Sequence, residues 1–174
     1  MNFADRSKNI ELIIADVDGV LTDGGIIFDN QGIEIKRFHS RDGFGIKLWR
    51  RAGFRFGIIT ARNSHIVKIR AAELGIDLLR QGHEDKLPAA RELFHELSLS
   101  PEQVAYIGDD LPDLPVMRCV GMPIAVADAV DEVRAGACYV TTLPGGQGAV
   151  REAIEAIFKA RGIWEDVVAK YVGA

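Results

Sequence analysis

The sequence predicts an α/β fold, an open parallel sheet with helices packed on its faces. Three features point to it. Short runs rich in Ile and Val alternate with amphipathic segments along the chain. Most of these runs are continuously apolar, as strands buried on both faces should be. Several end abruptly in Asp, Thr or Gly, where a strand gives way to a turn. The predicted core strands are 10–16, 54–60, 76–81, 104–108, 123–126 and 139–142. Between and after them the spacing predicts helices over 44–52, 64–74, 86–97, 114–119, 130–135, about 148–161 and 164–171. Ser100-Pro101 suits a helical first turn ahead of the fourth strand.

Composition bounds the answer. The 174 residues, 48% hydrophobic and 26% charged, suffice for one well-buried core, so residues 1–174 are expected to form a single domain. A formal charge of −4 and a pI near 5.6 argue against a nucleic-acid partner or an anionic membrane surface. Cys119 and Cys138 are too few for a disulfide framework, lack metal spacing and read as small buried apolar residues. No basic segment leads into a long apolar run, and no stretch approaches the ~20 apolar residues that span a bilayer. A soluble, cytoplasmic protein is expected.

One segment breaks the alternation. Residues 25–30 and 32–39 read as two strands joined at Asp29-Asn30-Gln31-Gly32, a hairpin inserted over about 24–40 where the first crossover should begin. Ile26, Ile27, Phe28, Ile33, Ile35 and Phe38 are too apolar for a solvated flap. Either the hairpin folds back on the core, or it is buried between subunits.

The strand ends carry the chemistry. Ile13-Ile14-Ala15-Asp16-Val17-Asp18-Gly19 places two carboxylates on one side of a strand's carboxyl end. Such a pair can hold a hard cation and divide nucleophilic and acid/base roles. Val104 to Gly108 ends in Asp109-Asp110-Leu111-Pro112-Asp113. Crowded acids repel one another unless something positive sits among them, and oxygen-only ligands favour Mg²⁺ over zinc. Helix-capping acids would account for Asp113 but not for all three. Lys86 opens a predicted helix, where the dipole disfavours a cation, so it calls for a partner of opposite charge. Ile58-Ile59-Thr60 ends a strand in a hydroxyl, a suitable phosphate ligand beside backbone N–H groups.

Taken together and in order, Asp16-Val17-Asp18-Gly19-Val20-Leu21-Thr22, Thr60, Lys86 and Gly108-Asp109-Asp110-Leu111-Pro112-Asp113 resemble the four motifs of the haloacid dehalogenase superfamily. That resemblance implies a Rossmann-like core and phosphoryl transfer. An aspartate at position 18 belongs to the superfamily's phosphatases and mutases. Asp16 would be the nucleophile and Asp18 the acid and base. Thr60 and Lys86 would bind the phosphoryl group, and Asp16, Asp109 and the Asp18 backbone carbonyl would hold Mg²⁺. Asp110 and Asp113 would orient Lys86 or waters.

The gaps between motifs leave no room for a cap domain. The hairpin, Arg41-Asp42-Gly43 and Gly145-Gly146-Gln147-Gly148-Ala149-Val150-Arg151-Glu152 resemble the capless sugar-acid phosphatases of this superfamily. This resemblance implies a homotetramer whose hairpins assemble centrally, with a neighbour helping to close each site. The substrate would be a small sugar-acid phosphate. Arginine reads carboxylates through a rigid fork, and Arg41, Arg62 and Arg151 are the candidates, with Gly43 beside them. Arg62 could equally be a helix-surface charge. The glycine-rich loop could be flexible only, or it could bring N–H groups to an anion. Within this resemblance Arg62 implies an eight-carbon sugar acid of lipopolysaccharide synthesis, since a sialic-type relative is expected to carry an acidic residue there. The nine-carbon sialic-type sugar 9-phosphates and a non-catalytic assembly module, like those fused to sugar nucleotidyltransferases, are the alternatives.

Overall fold

The chain opens with α1 (Phe3–Ser7), β1 (Leu12–Ala15), and the two-residue strands β2 (Ile27–Phe28) and β3 (Glu34–Ile35). Next come α2 (Ser40–Arg51), β4 (Arg55–Thr60), α3 (His65–Leu74), β5 (Leu78–Gln81) and α4 (Lys86–Glu96). Then follow β6 (Val104–Gly108), α5 (Leu114–Met117), β7 (Met122–Ala125), α6 (Asp131–Gly136) and β8 (Tyr139–Val140). The chain closes with α7 (Ala149–Ala160) and α8 (Trp164–Val172). The computed structural model describes residues 2–173.

Six strands form one parallel sheet in the order β5-β4-β1-β6-β7-β8. All four residues of β1 are buried, which suits its central place. Ala15 lies level with Ile58 of β4 on one side and Ile107 of β6 on the other. The chain runs from β1 outward to β4 and β5, then returns across to β6. The strand order therefore reverses beside β1, and a crevice opens at the carboxyl ends of β1, β4 and β6. Every core strand predicted from the sequence is present, most of them trimmed at the ends.

Helix α2 begins four residues before the predicted start at 44. The glycines that argue against helix there allow close packing against neighbouring segments. A Cβ on Gly43 would stand 2.3 Å from Arg70 Nη2, and one on Gly45 would stand 3.2 Å from the Arg151 Cα. Asp42 ties α2 to α7. Its buried carboxylate accepts from the Gly148 N–H (3.2 Å) and the Arg151 N–H (2.8 Å), capping a helix whose own N-cap, Gly148, has no side chain to do so. Burial pushes the Asp42 carboxyl above the usual carboxylate range, against the pull of those donors. The sequence reading also missed α1, which is too short to show a period and is started by Asn2 accepting from the Asp5 N–H at 2.9 Å.

The hairpin is real and short. Asp29 Oδ1 accepts from the N–H groups of Gln31 and Ile33, both at 2.8 Å, and Gly32 takes the positive φ of +78° that the turn needs. Ile26, Ile27, Phe28, Ile33 and Ile35 are 45–56% exposed, so they do not fold back on the core. Phe38, at the hairpin's root, does pack against it.

Candidate active site

Strand ends deliver the acids. Asp16 follows β1 directly, and its N–H bonds the Ile107 carbonyl of β6 at 3.1 Å. Asp109 follows β6, Thr60 closes β4, and Lys86 begins α4 after Asp85, whose carboxylate accepts from the Leu87 N–H at 3.3 Å. These residues line a cleft of about 140 Å³ together with Asp18, Arg62, Asp110 and Asp113. Small-molecule sites usually enclose about 300–1,000 Å³, so this cleft is smaller than most.

Lys86 is the hub. Its buried ammonium lies 2.7 Å from Asp16 Oδ2 and 2.7 Å from Asp113 Oδ1. Asp113 is fully engaged. Its Oδ1 also accepts from the Tyr106 hydroxyl at 2.6 Å, and its Oδ2 accepts from the N–H groups of Asp109 (2.9 Å) and Asp110 (3.3 Å). Asp16 Oδ1 accepts from the Val17 N–H at 2.7 Å. Burial pushes the Lys86 ammonium down, but the two carboxylates outweigh it and hold it above its ordinary value.

The acids remain in excess. Burial raises Asp16 to about 6 even with Lys86 beside it. Asp109 is raised further, to about 8, by burial and then by Asp113 and Asp16. Tyr106 is held well above its ordinary value by burial and the nearby carboxylates, so it serves as a proton donor to Asp113. Asp109 Oδ1 is buried and has no hydrogen-bond partner. Carboxylate oxygens of Asp16, Asp109 and Asp113 lie within 4.8 Å of one another. Gly19, with φ of +93°, lets Asp109 approach; a Cβ there would stand 2.0 Å from Asp109 Oδ2. A converging set of oxygens with one unpartnered and partly protonated carboxylate suits a hard divalent cation.

The other sequence candidates divide. Arg62 is in the cleft, its Nε 3.9 Å from Asp18 Oδ2 and its Nη2 3.1 Å from Glu34. Asp110 caps the turn after β6 through the Leu111 N–H at 2.7 Å, whereas Asp113 both accepts backbone donors and holds Lys86. Gly43 is inside α2 against Arg70, and Arg41 lines a different groove with Arg151 and Glu155. The structure does not bring either residue to the acids. The glycine-rich loop is also not an anion cradle, because its N–H groups are taken. Gly145 donates to Asp128 (2.9 Å), Gly146 to the Val20 carbonyl (2.9 Å), Gln147 to the Pro144 carbonyl (3.2 Å) and Gly148 to Asp42. Its glycines serve close packing instead: a Cβ on Gly145 would stand 1.7 Å from the Gly19 carbonyl oxygen.

Sequence reading missed three residues. Tyr106 looks like one more apolar strand position, and only its hydroxyl reveals the polar end. Glu34 and Lys36 reach the cleft from the hairpin: Lys36 bonds Asp18 closely and lies 3.3 Å from Glu34. The alternation Ile33-Glu34-Ile35-Lys36 was the available signal, since it turns two charged residues to one face. Among these groups Glu34 feels burial first, but the Ser64 hydroxyl, Arg62 and Lys36 hold it below the usual range.

The fold and this acid cluster define a class. The model for haloacid dehalogenase-like hydrolases matches residues 58–154, and the chain belongs to that family. The chain is 50% identical over 156 residues to the 3-deoxy-D-manno-octulosonate 8-phosphate phosphatase KdsC of Yersinia pestis, covering 90% of this chain and 83% of that one. The KdsC of Escherichia coli K12 is 47% identical over 157 residues, with 90% and 84% covered. Among solved structures, the corresponding phosphatase of Moraxella catarrhalis, in complex with magnesium, phosphate and KDO, has a TM-score of 0.94 at 42% identity, covering 97% of each chain.

A stability measurement tests the cluster. Carboxylates raised in the fold contribute stability that is present at low pH and lost as pH rises through about 6 for Asp16 and about 8 for Asp109. The metal-free protein should therefore melt several degrees lower at pH 8 than at pH 5, and Mg²⁺ should restore more at pH 8. Asp109→Asn should flatten this profile and remove most of the Mg²⁺ effect. A wild-type melting temperature that ignores pH over this range would contradict the assignment.

Proposed function

We propose that this chain is a Mg²⁺-dependent phosphomonoesterase that releases phosphate and the free sugar acid from 3-deoxy-D-manno-octulosonate 8-phosphate. The observation carrying it is the buried Asp16–Lys86–Asp113 cluster beside an unpartnered Asp109 oxygen, in a chain 47–50% identical to phosphatases of that name. Asp16, Asp109 and the Asp18 backbone carbonyl would hold the cation, whose charge lowers the cost of the phosphoryl negative charge.

Asp16 attacks phosphorus in line, forming an acyl phosphate as the ester P–O bond breaks. Asp18 gives its proton to the departing sugar oxygen, then takes one from the water that hydrolyses the acyl phosphate. Lys86 and the Thr60 hydroxyl bind the equatorial oxygens, where charge grows most in the transition state. Asp113 and Tyr106 keep the Lys86 ammonium aimed at Asp16.

Relatives at this identity favour the eight-carbon substrate over the nine-carbon one. A non-catalytic module has no need of a buried, unpartnered carboxylate, which costs stability. Among the described residues no helix is long and apolar enough to cross a membrane, which agrees with action in the cytoplasm.

The assembly we propose is a homotetramer. Five apolar hairpin residues stand about half exposed, and the cleft is smaller than most small-molecule sites. Association of four hairpins would bury the first and bring a neighbouring chain over the second.

Two experiments follow. With the sugar-acid phosphate and Mg²⁺, Asp16→Asn should lose turnover and phosphoenzyme together. Asp18→Asn should retain slow phosphoenzyme formation from an activated aryl phosphate. Near wild-type turnover in Asp16→Asn would remove the covalent mechanism. For the assembly, Ile33→Asp with Ile35→Asp should lower the mass seen by light scattering. The same pair should depress sugar-acid turnover more than aryl phosphate turnover. A wild-type monomer with full sugar-acid activity would refute it.

A further inference from the structure

The hairpin closes a ring of charged groups beside Asp18. Asp18 meets Lys36 on one side and Arg62, at 3.9 Å, on the other. Lys36 lies 3.3 Å from Glu34, and Glu34 returns to Arg62 at 3.1 Å. Two carboxyl groups and two basic groups alternate around the ring. Glu34 also accepts from the Ser64 hydroxyl. Its carboxylate therefore sits in a cradle of guanidinium, hydroxyl and ammonium, the donor set that would recognise the carboxylate of a sugar acid. Arg62 is the only guanidinium among the described residues lining this cleft, and Glu34 already accepts from its Nη2.

Resting on the substrate class proposed above, we propose that Glu34 is an internal stand-in for the substrate's carboxylate. It keeps Arg62 and Ser64 in place in the empty enzyme and competes with product for them. Exchange of one carboxylate for another preserves the charge balance of the ring, and a neutral sugar cannot make it. A ligand anchored at its phosphate end can displace Glu34. Once the phosphoryl group has left, the free sugar acid has lost that anchor and Glu34 regains the cradle. Glu34 is thus a specificity-determining residue that weakens product binding and discourages capture of simple carboxylates. The exchange requires a side-chain rotation of Glu34, which sits on a two-residue strand and is 16% exposed.

The test uses Glu34→Gln and Glu34→Ala in the full chain. The apparent affinity of a ligand that must displace a resident group is reduced by the fraction of sites left free. Removing the resident charge should lower the KM for the sugar-acid phosphate and the Ki of the free sugar acid by about tenfold each. The ratio of the KM for p-nitrophenyl phosphate to that for the sugar-acid phosphate should rise by the same factor. Pyruvate, a bare carboxylate, should inhibit p-nitrophenyl phosphate hydrolysis more strongly in both variants. Misfolding would weaken binding, so tightening is diagnostic. An unchanged or raised product Ki in both variants would overturn the proposal. Failure of the wild type to turn over the sugar-acid phosphate would sink the substrate reading instead, and the pyruvate arm would then decide the cradle: no strengthening would overturn it.

Discussion

The arrangement depends on one buried cation. Lys86 stands between Asp16 and Asp113 with almost no access to water, at the start of a helix whose dipole opposes it. Three acids on two adjacent strand ends could not share this crevice without it, and even with it Asp16 and Asp109 are held above the carboxylate range. The local structure is organised to keep Lys86 there. Asp113 is fixed by two backbone N–H groups and the Tyr106 hydroxyl, and Gly108 gives it room, since a Cβ there would stand 2.6 Å from the Asp113 Cβ. What remains is one buried oxygen of Asp109 without a hydrogen-bond partner. That crowding holds the Asp109 carboxyl above the usual carboxylate range and leaves an oxygen open to a divalent cation.

Sheet topology explains why these residues meet. Parallel strands bring their carboxyl ends to one edge, and the reversal beside β1 opens the crevice there. Asp16, Thr60, Asp109 and Lys86 were legible in the sequence because each sits at a local boundary, where an apolar strand stops or a helix starts. The signal and the structure arise within a few residues. The central strands were legible for the same reason.

What was not legible depends on contacts between distant segments. Asp42 caps α7 across more than a hundred residues, which turned an apparent loop motif into the first turn of a helix. The glycine-rich loop reads as either a flexible loop or an anion site until Asp128, Val20, Pro144 and Asp42 are seen to use its N–H groups. Tyr106 is apolar along most of its length and polar at one atom. The hairpin was legible as an insertion, but its two faces have different roles: Ile33 and Ile35 point to solvent, whereas Lys36 reaches Asp18 and Glu34 reaches Arg62. One short element thus bears on both the proposed assembly and the chemistry.

The central claim is that the acid cluster is poised for a cation by holding a proton it must give up. Calorimetric titration of Mg²⁺ at pH 7, repeated in buffers of different ionisation heat, counts the protons released on binding. With Asp109 raised to about 8, the account predicts release of about one proton per Mg²⁺ at pH 7, vanishing well above pH 8. Heats that are the same in every buffer at pH 7 would mean that Asp109 is already ionised in the metal-free protein, and would contradict it.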